Sequence, residues 1–254
     1  MKLTVKNLVK SYHQRPVLNL ASATFGTYSV EGLIGPNGAG KSTLMGLLTR
    51  RIGATTGTIN FEVSGKNHDL CEKQSFEVAQ LGLIKTNQRI QNFESLTIRE
   101  SLRLAATPAE NESLVSWFKK PAADAATSAE DIESRVDHYL DKFTFADPDG
   151  YAKSAGEKKL LDILRCLIFK PRMLLMDEPT AGLPEDVTRQ VMDEIAEQSR
   201  NNKMRIVVVE HDLELIWSVC EYVHFLSDGE MLFQGTPDEV KSNHFVAEKY
   251  LGVS

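Results

Sequence analysis

Residues Gly35–Thr43 (GPNGAGKST) have types and spacing suited to holding phosphate. Gly35, Gly38 and Gly40 let successive backbone N–H groups turn inward around phosphate oxygens, with Asn37 and Ala39 completing the loop. A helix starting behind the loop adds the positive end of its dipole. Lys41 is placed to reach β- and γ-phosphates, the Ser42 hydroxyl to ligand Mg2+, and Thr43 closes the pattern. The alternative is an ordinary glycine-rich turn. Against it stand a short apolar run before the loop, Tyr28–Ile34, and a helical pattern after it, Ser42–Arg50.

A second constellation lies far downstream. Met173–Glu178 (MLLMDE) reads as an apolar strand ending in two carboxylates. Asp177 suits a metal-binding role, and Glu178, one residue on, can aim at the γ-phosphate and polarise an attacking water. An apolar run ending in Asp-Glu is common by itself. Downstream of a phosphate loop it acquires meaning.

The elements that must position these groups follow from pattern. Leu3, Val5 and Leu8 are spaced for a half-buried strand, Thr58–Val63 reads as another, and the polar run Ser64–Asp69 as a turn. Gly82–Lys85 resembles a short strand. Thr97–Glu100 fits a capping box that opens a helix. Residues 107–130, with Pro108 and Pro121, read as an irregular connection, and Asp131–Phe143 as an amphipathic helix. Alternation then resumes: strand Met173–Met176, helix Glu185–Ser199, strand Arg205–Val209, helix Asp212–Cys220. Tyr222–Leu226 and Met231–Gln234 flank an Asp228-Gly229 turn, and Thr236-Pro237 starts another helix. This is an α/β fold with a parallel sheet, formed by residues 1–94 and 171–254 within one domain. A helical subdomain of about 95–170 is inserted into it.

Bulk properties narrow the class. A formal charge of −6 argues against a nucleic-acid partner. Cys71, Cys166 and Cys220 lie far apart without metal-ligand spacing and suit a reducing compartment. The first residues alternate like a strand rather than a signal peptide. No run reaches the ~20 apolar residues that span a bilayer, so at a membrane another chain must supply the spanning part.

With these motifs in order, the chain resembles the ATP-binding-cassette (ABC) ATPases over almost its whole length. The resemblance implies a P-loop core with an N-terminal antiparallel β subdomain, ATP and Mg2+ as ligands, and a place on the cytoplasmic face of the membrane. It implies that Tyr12 stacks on adenine and that Gln88 touches Mg2+ and faces the membrane partner. It further implies that His211 contacts the γ-phosphate, and that Pro179–Leu183 forms the loop after the catalytic glutamate. The partners implied are permease subunits in separate chains, a second ATPase subunit (identical or not) and, for an importer, an extracellular solute-binding protein. Leu81–Gln88, Phe93–Leu102, Glu210–Asp212 and Lys249–Gly252 are similar to the ATPases of branched-chain amino-acid and urea importers. Lipopolysaccharide-export ATPases are the rival group, and a weakly hydrolysing regulatory or non-transport ATPase is a further alternative.

Two departures stand out. The family's LSGGQ segment reads Lys153-Ser154-Ala155-Gly156-Glu157, keeping Ser154 and Gly156, which in the family bind the γ-phosphate held by the opposite subunit. Ser154 and Glu157 equally fit a capping box, so this segment is either a phosphate site or only a helix start. Glu157 should weaken triphosphate binding unless Lys153 or Lys158 compensates. Pro184 replaces the Asp or Asn of a cross-subunit hydrogen bond.

Overall fold

The computed structural model describes residues 1–13, 15–86, 95–107 and 124–251. Its elements are β1 (Lys2–Tyr12), β2 (Arg15–Phe25), β3 (Val30–Ile34), α1 (Lys41–Leu48), β4 (Thr56–Val63), β5 (Lys66–Asp69), α2 (Ser75–Gln80), β6 (Leu83–Lys85) and α3 (Ile98–Ala106). There follow α4 (Asp124–Lys142), α5 (Ala155–Ile168), β7 (Met173–Asp177), α6 (Glu185–Asn202), β8 (Arg205–Val209), α7 (Leu213–Val219), β9 (Tyr222–Ser227), β10 (Glu230–Gly235), α8 (Pro237–Lys241) and α9 (His244–Leu251). Two compact units emerge: Met1–Lys85 with Arg172–Pro179 and Met192–Ser254, and Thr86–Pro171 with Thr180–Val191.

The first unit holds both sheets. A six-stranded sheet runs in the order β10-β9-β3-β8-β7-β6, parallel except for the edge strand β10. β3 and β7 are buried at every position, which is why VEGLI and MLLMD read as near-continuous apolar runs rather than alternations. A four-stranded antiparallel sheet, β2-β1-β4-β5, takes the other β elements. There Leu3, Val5 and Leu8 are fully buried with Phe25, Ile59 and Phe61.

Glu31 is the polar exception in β3, and a buried polar group must be hydrogen-bonded. Its Oε1 accepts from the Tyr28 N–H at 2.9 Å, and its Oε2 lies 3.0 Å from His224 Nε2 on β9. His224 Nδ1 in turn meets Gln234 Oε1 on β10 at 3.0 Å, while the Phe25 ring lies against the imidazole. Three neighbouring strands are thus joined by side chains as well as by the ladder.

The expectation of a turn over Ser64–Asp69 is corrected. Only Ser64 and Gly65 turn, both with positive φ (51° and 73°), the signature of a two-residue hairpin loop. Lys66–Asp69 then pairs with Val63–Asn60 as β5, polar because it is a sheet edge. The helix expected at Asp131–Phe143 begins earlier, at Asp124, so the irregular connection is shorter than 107–130. Residues 108–123 lie outside the described residues.

In the second unit, α3 packs on α4 and α5. Thr97 caps α3 as the sequence predicts, accepting from the Glu100 N–H at 3.2 Å. Arg99 bridges Asp137 and Asp149, and Arg103 pairs with Glu133. The Arg135 guanidinium donates to the Ala106 and Ile168 carbonyls at the C-terminal ends of α3 and α5, groups the helices cannot satisfy themselves. Among the described residues no helix is long and apolar enough to cross a membrane.

Candidate active site

The phosphate loop leaves the C-terminal end of β3, where ligands of open α/β sheets bind. Gly35 has φ 153°, and a Cβ there would lie 1.9 Å from the Leu226 carbonyl oxygen, so only glycine fits. Gly40, with φ 103°, precedes the first residue of α1. The loop is braced from behind by the Asp228-Gly229 turn: the Gly229 N–H donates to Ala39 O at 3.1 Å, and Asn19 N–H of β2 donates to Gly229 O at 2.7 Å. The sequence marks Asp228-Gly229 only as a turn between two short strands. Its bracing role depends on proximity that no local pattern encodes.

Lys41 is buried and folds back on the loop, donating to the Gly35 and Pro36 carbonyls. Burial pushes its ammonium below the ordinary lysine range, while the charges of Glu178 and Asp177 push the other way. Those carboxylates therefore lie within electrostatic reach of the lysine. Ser42 is exposed, Thr43 half-buried, and Asn37 and Gly38 stand at the exposed tip of the loop.

Asp177 ends β7 fully buried, in register with Val209 of β8. Glu178 continues one step further: its N–H still donates to Val209 O at 2.8 Å, but its φ is 51°. A left-handed non-glycine residue costs roughly 1–2 kcal/mol and marks a constrained position. The turn swings the carboxylate off the strand end towards His211, two residues beyond β8. His211 Nε2 and Glu178 Oε1 are 2.9 Å apart. An ionised carboxylate only accepts, so the imidazole presents Nε2–H to it. The sequence named both residues separately, and the structure brings them together.

Beside them is a residue the sequence reading passed over. Lys85, at the end of β6, places Nζ 2.8 Å from Asp177 Oδ2. The available signal was a lysine closing an apolar strand, but its partner is 92 positions away.

Tyr12 ends β1, 44% exposed, with Lys10 Nζ 4.7 Å from its ring centroid. Gln88 lies outside the described residues.

In the second unit Ser154 is the N-cap of α5, and the capping box is complete. Ser154 Oγ accepts from the Glu157 N–H at 3.1 Å, and Glu157 Oε2 accepts from the N–H groups of Ser154 and Lys153, both at 3.0 Å. The Ser154 hydroxyl also meets that carboxylate at 3.2 Å. These hydrogen bonds, the Ser154 N–H first, hold the Glu157 carboxyl below the usual glutamate range. Gly156 leaves the helix start open, since an added Cβ would meet only Ser154 Oγ at 4.0 Å. Pro184 precedes α6, its carbonyl accepting from the Thr188 N–H at 2.8 Å.

Comparison with known proteins agrees with this geometry. The ABC transporter family model matches residues 18–181. The branched-chain amino acid transport ATP-binding protein LivG of Salmonella typhimurium is 28% identical over 253 residues, 98% of this chain and 97% of that protein. The lipopolysaccharide export ATP-binding protein LptB of Haemophilus influenzae is also 28% identical, over 98% of this chain and 97% of its own. The crystal structure of the ADP conformation of MJ1267, an ATP-binding cassette of an ABC transporter, superposes with a TM-score of 0.76 at 27% identity, covering 100% of both chains. The strand-borne carboxylates, the phosphate loop and these likenesses converge: the chain belongs to the ABC transporter family, as an ATP-binding and ATP-hydrolysing subunit.

Proposed function

We propose that this chain powers a membrane transporter as one of two ATPase subunits arranged head to tail, each ATP lying between the phosphate loop of one and Ser154–Gly156 of the other. The observation that carries the reading is the Glu178–His211 pair, 2.9 Å apart beyond the ends of neighbouring strands and beside the phosphate loop's strand β3 in the same sheet. Glu178 takes a proton from the attacking water, and His211 orients that carboxylate and the γ-phosphate. Lys41 leaves the loop carbonyls for the β- and γ-phosphates, and Tyr12 offers its exposed ring to adenine. Asp177 and Ser42 are hard oxygen donors suited to Mg2+, with Gln88 as a third. When bound, the cation neutralises charge developing on the phosphates. Closure of the dimer on ATP is passed by Gln88 and the helical subdomain to permease subunits in other chains. This is binding free energy used to shift a two-state equilibrium.

The substrate class follows the resemblance to LivG, pointing to branched-chain amino acids or similar small polar solutes such as urea, delivered by a solute-binding protein. Lipopolysaccharide export is the second reading, favoured by a LptB likeness of equal identity and extent. Purified chain should hydrolyse ATP, and neighbouring-gene permeases should co-purify with it and stimulate it. Absence of hydrolysis both alone and with those permeases would exclude the motor role, and the solute moved by the reconstituted complex separates import from export.

Glu157 competes internally for the groups that the opposing γ-phosphate requires. Glu157→Gln, which restores the family's usual residue, should therefore promote ATP-dependent dimerisation several-fold, measured by light scattering. It should also lower the melting temperature at neutral pH, because the charged cap is weakened. The carboxyl is depressed in the folded state, so its stabilisation holds above the unfolded glutamate range and fades as pH falls through the folded value. The melting difference between parent and variant should shrink accordingly in acid.

A further inference from the structure

Asp177 has a neighbour that no phosphate-loop motif requires. β6 lies parallel to β7 with Lys85 opposite Leu175, and the lysine reaches forward along the sheet to Asp177 Oδ2 at 2.8 Å. The two side chains are 6% and 0% exposed. Desolvating such a pair offsets much of its attraction, and an apolar pair of similar volume would stabilise the sheet as well or better. Stability alone therefore does not account for a lysine here. One further fact bears on its role: Lys41 lies within electrostatic reach of the same carboxylate.

We propose that Lys85 is a positioning residue for the metal step of ATP binding. Its ammonium is the counter-charge that keeps Asp177 buried and aimed before Mg2+ arrives, and it then competes with Mg2+ for that carboxylate. The proposal rests on the reading of Asp177 as a Mg2+ ligand. Two cations sharing one buried carboxylate repel each other strongly, since Coulomb interactions are weakly screened away from water. A bound Mg2+ would therefore weaken the Lys85–Asp177 pair, and the pair would weaken Mg2+ binding in return. The arrangement tunes metal affinity downward.

The test uses the full chain and two readouts that do not depend on turnover. These are equilibrium binding of a fluorescent ATP analogue across a Mg2+ titration, and thermal unfolding with and without Mg2+. Lys85→Met should lower the Mg2+ concentration at half-saturation by about tenfold, since a competing charge is removed. It should also melt earlier than the parent in Mg2+-free buffer and regain more of its melting temperature on adding Mg2+ and ATP. Lys85→Arg keeps the charge and should stay within about threefold of the parent midpoint. An unchanged or weakened Mg2+ midpoint in Lys85→Met overturns the proposal. Should that variant not fold, Lys85→Gln carries the same expectation and the same refutation. A parent chain whose nucleotide binding ignores Mg2+ would overturn the underlying reading, and this proposal with it. A Mg2+-dependent parent with an indifferent Lys85→Met overturns the proposal alone.

Discussion

Glu178→Gln should hydrolyse ATP about 10²–10⁴-fold more slowly than the parent, the range by which a positioned general base accelerates a reaction, while still binding nucleotide. The amide is nearly the same size as the carboxylate and can still pair with His211, so the turn at φ 51° and the strand end should survive. What is lost is the ability to take a proton. Because hydrolysis would reopen the proposed dimer, the variant should accumulate as an ATP-bound dimer. Single-turnover phosphate release and light scattering read the two effects separately. Turnover at the parent rate would remove Glu178 from the chemistry, and His211 would then lose its proposed partner role as well.

Gly35→Ala should abolish nucleotide binding under conditions where the parent saturates, and destabilise the first unit. The added Cβ would sit 1.9 Å from the Leu226 carbonyl oxygen, a backbone atom that cannot step aside without moving β9. Backbone strain of roughly 1–3 kcal/mol is the least of the cost. The loop must also shift relative to the site, and a misplacement near 1 Å can cost about 10²-fold in function. Gly38→Ala is the control for stability. Gly38 also has positive φ, 80°, but nothing lies within 4 Å of its added Cβ, so it carries conformational strain without the clash. Calorimetry with ATP and thermal melts would compare them, and equal stability losses would show that the steric argument is wrong.

The parts of this molecule that were legible in the sequence are those written in short stretches of chain. The phosphate loop, the apolar strand before Asp177-Glu178, the capping boxes at Thr97 and Ser154, and the proline-led helix start at Thr236 depend on neighbours within a few residues. β5 was missed because its polar composition mimics a turn, whereas its pairing is fixed by the positive φ of Ser64 and Gly65. The short α2 and the closing α9 were not legible as helices, although Lys249–Gly252 bears on the family resemblance. The Lys85–Asp177 pair, the Gly229 brace behind Ala39 and the Glu31–His224–Gln234 chain join residues distant in sequence. No periodicity announces such meetings, because tertiary packing alone makes them. The double duty of Ser154 falls between: its cap was readable, but the cap's grip on the hydroxyl itself needed coordinates.

The strand order carries a consequence for how the molecule is made. β3, which feeds the phosphate loop, has only β8 and β9 as sheet neighbours among the described residues, and Glu31 waits for a histidine 193 positions later. β8 is the earlier of the two partners, with Ile206 lying 176 positions after the Val30 it pairs with; at ribosomal speeds of about 5–20 residues per second, that is roughly 9–35 s during which the nascent strand has no sheet to join. The loop can be shaped only once nearly the whole first unit has been synthesised. Nucleotide capture is in this sense a check on completion: an unfinished chain carries the phosphate-binding sequence but not the phosphate-binding site.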